Sequence, residues 1–283
     1  MDSQQPNAST PTASTSALTA IDQWPVDHAA AVVVSADGVQ GTWGDLRRVF
    51  PLASVTKLLV GYAALIAIEE GAIELDQPAG PQGSTVRHLL AHASGLAFDE
   101  NRVRAEPGEK RIYSSAGFEV LADLITAETD IEFADYLAEA VFAPLGMTSA
   151  ELVGPAGHGA QASADDLAAF AAELCAPTLV SGELFQQATS VQFPGLSGIL
   201  PGYGMQKPND WGLAFEIRSE KTPHWTGAKN SPRTFGHFGQ SGTFLWVDPD
   251  AQVSCAVLTD RAFGEWAIPR WTQLSDAVFS QIC

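Results

Sequence analysis

Positive charge is scarce in this chain of 283 residues. Lys and Arg together number 15 against 33 Asp and Glu, so the formal net charge is −18 and the sequence pI is about 4.5. No cluster of Lys and Arg occurs anywhere in the sequence. Because a protein that binds a phosphate backbone needs a basic stripe or patch, a nucleic-acid partner is not expected. The acidic balance instead favours solubility.

Cysteines and long apolar runs are also few. The three widely spaced cysteines, Cys175, Cys255 and Cys283, do not make a disulfide framework and fit a reducing compartment. The N-terminal segment lacks the charged and apolar regions of a signal peptide. The longest uncharged apolar run, 58–68, is too short to span a bilayer. These absences predict a cytoplasmic protein with no membrane partner.

The distribution of strand-like and helix-like segments predicts the fold class. A β-hairpin is expected over 29–44, four strand-like runs follow residue 210, and the intervening chain has mostly helical spacing. This order favours an α/β (α+β) fold in which both chain ends form one antiparallel sheet, flanked by helices, with a mostly helical part inserted. The expected boundaries are a disordered tail over 1–16 and one domain over 17–283, divided into a sheet part over 17–75 and 200–283 and a helical part over 76–199.

A Ser and a Lys stand three residues apart, Ser54 and Lys57, where a long apolar segment begins. A helix from Ser54 to Glu70 would place both on one face, with the serine at the helix N-terminus. Burial would lower the pKa of the lysine, so that it could act as a base toward the serine hydroxyl. With 5 lysines and 21 serines in the chain, about 0.4 such pairs are expected by chance, so the pair alone is a weak signal.

Two further motifs follow in order along the chain. Tyr113-Ser114-Ser115 precedes a predicted helix, and His237-Phe238-Gly239 lies on a predicted strand. The ordered set S-x-x-K, Y-x-S and H-x-G resembles the serine β-lactamase and penicillin-binding-protein superfamily. It is most similar to the class C β-lactamase-like branch, which includes carboxylesterases with a β-lactamase fold. The segments "VRHLLAHASGL", "PLGMTSA" and "ASADDLAAF" add to this resemblance, which runs from about residue 24 to about residue 280.

The resemblance implies roles for three catalytic residues. Ser54 would be the nucleophile that forms an acyl-enzyme. Lys57 would be its base or its proton-relay partner, and Tyr113 would shuttle protons during acylation and deacylation. Which of the lysine and the tyrosine is the base stays open at this point, as it does across the superfamily.

The resemblance also implies residues on the substrate side. His237 would replace the lysine of K-T-G, next to Gly239, and help to orient the tyrosine or the substrate. The backbone N–H groups of the nucleophile and of Gln240 would form an oxyanion hole. Ser115 stands where lactamases usually carry an Asn that contacts the β-lactam amide, and its shorter side chain favours esters over β-lactams. Phe238 replaces a usually small residue and could narrow the cleft or add an apolar wall.

Other candidates carry less weight. His88 and His92 are four residues apart without a third ligand, so no metal site is expected. Tyr203, Met205 and Trp211 could line a pocket or belong to the core. The pocket itself is expected from two loops, around 97–112 and 193–210.

The leading hypothesis is therefore a serine hydrolase that cleaves small carboxylic esters through an acyl-enzyme and uses no cofactor. One alternative is a weak β-lactamase, D-amino-acid peptidase or amidase with the same residues, since one fold and one residue set serve all of these reactions. Acyl transfer to an acceptor other than water is a further possibility. From another class comes a non-catalytic, penicillin-binding-like sensor or scaffold. The sequence does not set the oligomeric state.

Overall fold

The computed structural model describes residues 13–282. The eight α-helices of this part are α1 (Ala13–Leu18), α2 (Thr56–Glu69), α3 (Val86–Leu90), α4 (Ala116–Thr129), α5 (Phe133–Leu137), α6 (Ala164–Cys175), α7 (Gly182–Ala188) and α8 (Ala267–Ile282). Its strands are β1 (Ala29–Ser35), β2 (Gly38–Gly44), β3 (Phe50–Pro51), β4 (Glu151–Leu152), β5 (Ala160–Ala162), β6 (Gly198–Leu200), β7 (Gly204–Gln206), β8 (Glu216–Ile217), β9 (Phe235–Gly239), β10 (Thr243–Asp248) and β11 (Val253–Thr259). Of the predicted disordered tail, residues 1–12 lie outside the described residues and 13–16 belong to α1.

A six-stranded antiparallel sheet joins the two ends of the chain. Its strand order is β2-β1-β11-β10-β9-β8, so the N-terminal hairpin pairs with the C-terminal strands through β1 and β11. The hairpin predicted over 29–44 is confirmed as β1 and β2. Helices α3 to α7 lie between the two sheet-forming parts of the sequence. The predicted fold class is therefore confirmed, while the domain division at 75 and 200 stays a prediction.

Apolar residues alternate between the two faces of the sheet, since successive side chains of a strand point to opposite sides. Val32, Ala256 and Leu245 stand side by side on β1, β11 and β10 and belong to the core shared with α2 and the inserted helices. His237 of β9 pairs with Leu245 at the end of this row. The histidine is thereby placed between the sheet and the inserted helices.

The opposite face of the sheet carries a second core with many aromatic rings. Ala31, Val257, Phe244 and Phe238 form the neighbouring row, and they pack with residues of α1 and α8, including Trp271. The orientation of Phe238 follows from this row. The side chain is buried on the face opposite His237, so it neither narrows the cleft nor forms its wall.

Helix α2 is buried on all sides, as its uniformly apolar sequence predicts. Every residue from Thr56 to Ala67 is buried. The α-helix begins at Thr56, two residues later than predicted, and Ser54 lies in a 3₁₀ turn, Ala53–Val55, that leads into it. Ser54 and Lys57 therefore occupy adjacent turns of one continuous helical segment.

Two regions differ from the sequence-based expectation. The segment 193–210, predicted to be a loop, contains a short hairpin of β6 and β7. The strand expected near residues 211–217 is reduced to the two residues of β8. Both regions are rich in Gly, Pro or bulky aromatic residues, so pairing depends on tertiary contacts more than on periodicity. Within residues 13–282, none of the helices has the length and apolar character needed to cross a bilayer.

Candidate active site

The turn that carries Ser54 is held in a strained position. The preceding residue, Ala53, has a positive φ of 46°, which is costly for a residue with a side chain and persists only where neighbours enforce it. The Leu52 carbonyl accepts a hydrogen bond of 2.9 Å from the Thr243 hydroxyl, and the Leu52 N–H donates to Ala160. The half-buried Ser54 is thus fixed between β10 and β5.

Lys57 is fully buried, and its ammonium group has neutral hydrogen-bond partners. Nζ donates to the Ser115 hydroxyl at 3.0 Å and to the Gly157 carbonyl at 2.7 Å. It also lies 4.6 Å from the centre of the Tyr113 ring. Burial lowers the pKa of Lys57 to about 7, although the negative charge of Glu119 acts in the opposite direction. A substantial fraction of this lysine is therefore neutral near neutral pH.

Tyr113 joins the serine to His237. Its hydroxyl is hydrogen-bonded to His237 Nε2 at 2.8 Å and also to Ser54. Burial raises the pKa of Tyr113 well above its usual value, and the hydrogen bond from the serine offsets only part of this rise. The tyrosine is accordingly a neutral phenol in the resting site.

His237 is buried and neutral. Burial, followed by the nearby charge of Lys57, lowers the pKa of His237 to about 3. Trp211 meets its ring edge-on at a centroid distance of 5.1 Å. Nδ1 has no hydrogen-bond partner among the described residues, so the histidine interacts with the site through Nε2 and Tyr113.

A glycine-containing loop, residues 154–159, completes the surroundings of the lysine and was missed by the sequence analysis. A methyl group placed on Gly157 would lie 2.8 Å from Cβ of Ser115, so only glycine fits there. The Glu119 carboxylate accepts hydrogen bonds from the N–H groups of Ala156 and Gly157 at 3.0 and 2.7 Å. The density of glycine in "GPAGHG" was the one sequence signal that could have pointed to this loop.

The end of β9 lies beside the serine turn. A methyl group on Gly239 would lie 2.3 Å from the Leu52 carbonyl oxygen and 3.2 Å from Cβ of Ala53. Gln240, the next residue, is exposed, and its side chain donates to the Phe263 carbonyl at 3.2 Å. The predicted pair of oxyanion donors, the N–H groups of Ser54 and Gln240, thus comes from two segments in close contact.

An apolar groove of about 370 Å³ opens next to Tyr113. Both loops predicted to form the pocket contribute to it, and its lining includes the exposed apolar side chains Phe98, Ile199 and Met205. A larger cleft of about 660 Å³ lies at the opposite ends of β9 and β10, and none of the predicted site residues line it. Although this cleft is the larger of the two, it is not the candidate active site, because it contains none of the candidate residues.

The buried guanidinium of Arg111, which the sequence analysis missed, supports the wall of the groove. It donates to the backbone carbonyls of Ala91, Asn209, Gln192 and Phe193 at 2.5 to 3.1 Å. These carbonyls belong to three segments of the chain, at residue 91, at 192–193 and at 209. A single buried cation therefore connects both ends of the 193–210 segment, which contributes to the groove, to the chain at Ala91.

The remaining candidates are aromatic residues, a methionine and two histidines, whose positions differ. Trp211 and Tyr203 are buried, whereas Met205 is exposed at the groove. His92 accepts from the Ser114 N–H at 3.1 Å, and His88 instead contacts Phe193. Among residues 13–282, no group of three or more His, Cys, Asp or Glu side chains is arranged to hold a metal ion.

An antiparallel sheet with a Ser-x-x-Lys segment, a tyrosine and a histidine converging at one end is the arrangement of the serine β-lactamase and penicillin-binding-protein fold. The family comparison agrees, since a model of the beta-lactamase family matches residues 26–278. The chain belongs to this family, whose members are serine hydrolases.

Individual relatives support the same assignment. A crystal structure of a beta-lactamase from Mycobacterium bovis is 56% identical, with a TM-score of 0.93 over 94% of this chain and 99% of that one. A hydrolase with promiscuous acyltransferase activity shares the fold, with a TM-score of 0.75 at 16% identity over 94% of this chain and 97% of that one. Penicillin-binding protein 4* of Bacillus subtilis (strain 168) is 28% identical over 131 residues, which are 35% of this chain and 29% of that protein. The matched segments thus span about a third or less of the first curated relatives.

Proposed function

We propose that the chain is a serine hydrolase that cleaves small carboxylic esters through an acyl-enzyme on Ser54. The observation that carries this proposal is the hydrogen-bonded series Ser54–Tyr113–His237 beside a buried lysine, Lys57, whose pKa is about 7. A serine hydroxyl is a weak nucleophile, so it needs a neighbouring base that is unprotonated at working pH.

Lys57 is proposed as the base of acylation. Its pKa of about 7 lies far above that of His237, at about 3, and the phenol of Tyr113 is protonated in the resting site. Of these groups, the neutral amine is the one able to hold the serine proton near neutral pH. The tyrosine hydroxyl, which contacts the serine, would relay protons and hand one to the departing alkoxide.

These groups suffice for every bond and proton transfer of the proposed reaction. Ser54 Oγ bonds to the ester carbonyl carbon while its proton passes to the amine of Lys57. The tetrahedral oxyanion would be stabilised by the N–H groups of Ser54 and Gln240, and its collapse breaks the bond to the alcohol oxygen, which takes up the proton. Water then attacks the acyl carbon and gives a proton to the same base. Collapse of this second tetrahedral intermediate breaks the bond to Ser54 Oγ, which takes the proton back as the acid is released.

The groove favours a substrate with an apolar part. Phe98, Ile199 and Met205 are each more than half exposed there, and Tyr113 is also part of the lining. Exposed apolar side chains gathered in a concave site beside reactive groups are typical of a place where a ligand is bound. An ester with a short alkyl or aryl group suits this surface.

β-Lactam hydrolysis is the second candidate, since a 56% identical protein is described as a beta-lactamase. Against it, Ser115 stands in place of the Asn that lactamases usually present to the lactam amide. Its hydroxyl is already the acceptor of a Lys57 hydrogen bond, and the side chain is 6% exposed. Little of the Ser115 side chain is therefore accessible for contact with a substrate. For this reason ester cleavage is the favoured hypothesis.

The deciding experiment compares p-nitrophenyl butyrate with a chromogenic cephalosporin, using the wild type and Ser54→Ala in parallel. Turnover of the ester that falls to background in Ser54→Ala supports the proposal. Faster turnover of the cephalosporin, lost in the same variant, would replace it with the lactamase assignment. A covalent adduct on Ser54 that never turns over would indicate a penicillin-binding-like sensor. Equal activity of both proteins on the ester would exclude Ser54 as nucleophile.

A further inference from the structure

We infer that Glu119 is a positioning residue that holds Lys57 in place through the backbone of Gly157. The inference rests on the proposed function in so far as the lysine is the base of that reaction. It concerns a contact that lies outside the S-x-x-K, Y-x-S and H-x-G motifs.

Hydrogen bonds connect Glu119 to Lys57 through the backbone of Gly157. The two carboxylate oxygens of Glu119 accept separately from the N–H groups of Ala156 and Gly157, at 3.0 and 2.7 Å. The carbonyl of the same Gly157 accepts from Lys57 Nζ at 2.7 Å. A carboxylate that receives two backbone N–H groups makes charge-assisted hydrogen bonds, which are shorter and stronger than neutral ones.

Gly157 lies directly against Ser115, the second acceptor of the lysine, with no room for a side chain between them. Glu119 is in the first turn of α4, and its own N–H donates to the Ser115 carbonyl at 3.2 Å. One turn of helix α4 thus presents both the serine and the carboxylate that fixes the opposing loop.

Charge is the second part of the inference. Glu119 is the group whose negative charge raises the pKa of Lys57 against the larger effect of burial. The hydrogen-bond partners of the ammonium are a hydroxyl and a carbonyl, which carry no net charge. Removing the carboxylate charge should therefore lower the pKa of the lysine further.

The matched control lies on the same helix. Asp123 is one turn further along α4, is exposed, and lines the same surface depression as Glu119. Among the described residues it has no hydrogen bond to the 154–159 loop. Asp123→Asn removes one negative charge from this surface, as Glu119→Gln does, but leaves the hydrogen bonds between Glu119, Gly157 and Lys57 unchanged.

The test titrates Lys57 directly by carbon NMR of lysine Cε, in wild type, Glu119→Gln and Asp123→Asn. With 5 lysines in the chain, Lys57→Met assigns the signal. The expected result is a midpoint near 7 in the wild type and in Asp123→Asn, and a midpoint lower by about half to one pH unit in Glu119→Gln. An unchanged midpoint in Glu119→Gln, or an equal shift in both variants, would overturn the inference.

Kinetics supply the second readout. The acidic limb of kcat/KM for p-nitrophenyl butyrate should move down with the NMR midpoint in Glu119→Gln, and kcat should fall by roughly 10-fold or more as the loop loses an acceptor. Glu119→Asp keeps the charge but shortens the reach, so it should lower kcat without moving the limb.

The two readouts separate failure of the inference from failure of the proposed function. If the wild type hydrolyses no ester, the proposed function fails, and the NMR titration still tests the coupling. Should Glu119→Gln not fold, Glu119→Asp carries the test. A wild-type kcat in that folded variant would overturn the positioning role.

Discussion

Two lysines of this protein are almost completely buried, and they differ in what surrounds the charge. Lys221 forms an ion pair with the buried carboxylate of Glu216 and also donates to the carbonyls of Asp210 and Ile217. Lys57 donates to a hydroxyl and a carbonyl, and no carboxylate of residues 13–282 lies within ion-pair distance of it.

The difference separates a lysine that serves the fold from one that is suited to chemistry. Burial lowers the pKa of both lysines, but Glu216 acts against this effect at Lys221 through a direct contact. Burial also disfavours the charged form of Glu216, yet Lys221 and His224 more than compensate, and the pKa of this carboxyl lies below its usual range. The charged pair is thus the stable form of that site. The pKa of Lys57, at about 7, leaves it free to gain or lose a proton.

The largest expected effect is the loss of activity in Lys57→Met. Removing the proposed base should lower kcat/KM for p-nitrophenyl butyrate by roughly 10³-fold or more, as in Ser54→Ala. Because the charge of Lys57 is buried without an ion pair, the methionine variant should remain folded. Activity and urea unfolding measured on the same preparations check both points. A variant with more than a tenth of wild-type activity would remove Lys57 from the mechanism.

The converse change, Lys221→Met, should destabilise the protein and spare the chemistry. It leaves Glu216 as an uncompensated buried charge, which costs about 3–5 kcal/mol of unfolding free energy. The kcat/KM of the folded fraction should stay within a few-fold of wild type. Urea unfolding followed by tryptophan fluorescence measures the loss. Full stability together with loss of activity would show that Lys221 has a role in the reaction.

A double variant tests whether Lys221 and Glu216 act as a pair. Glu216→Gln together with Lys221→Met removes both charges while an amide oxygen remains for the hydrogen bond from Trp225, now 2.9 Å long. The double variant should be more stable than the sum of the single losses predicts, by about 2 kcal/mol. Strict additivity in the cycle would mean that the two charges stabilise the fold independently.

The side chains proposed as catalytic could be named from the sequence because each stands in its own local motif. Ser54 and Lys57 share one helical segment, and Tyr113 and His237 follow in an order that is specific as a set. The resemblance to the family was sufficient to predict that these residues lie in one site. The α-helix nevertheless begins at Thr56 rather than at the serine. The positive φ of Ala53, where the preceding 3₁₀ turn begins, leaves no mark on periodicity.

Contacts between distant loops were not predictable. Glu119 and Gly157 meet through a loop whose path depends on close packing against Ser115, and no spacing rule connects positions so far apart. Arg111 was missed for the same reason, since its partners are backbone carbonyls, which any residue type supplies. The direction of Phe238 follows from strand alternation next to His237, but it could be judged only once the register of β9 was known.

The smallest predicted effect is a pH dependence of stability that comes from Lys57. Its pKa is about 7 in the folded chain and about 10.5 when exposed, so between these values the unfolded chain binds the extra proton. Wild-type stability therefore gains from rising pH in this window, by about 1–2 kcal/mol between pH 7 and pH 8.5 from this group, and gains little below about pH 6.

Lys57→Met should lack this contribution, whereas Ser54→Ala, which keeps the lysine, should retain it. Urea unfolding of the three proteins at several pH values measures the difference between them, in which the titration of all other groups cancels. A difference between Lys57→Met and wild type that stays constant from pH 6 to pH 8.5 would mean that Lys57 remains charged in the folded protein. The two buried lysines would then be alike in protonation, and the hydrogen bonds to Ser115 and Gly157 would have to stabilise the ammonium as well as Glu216 does at Lys221.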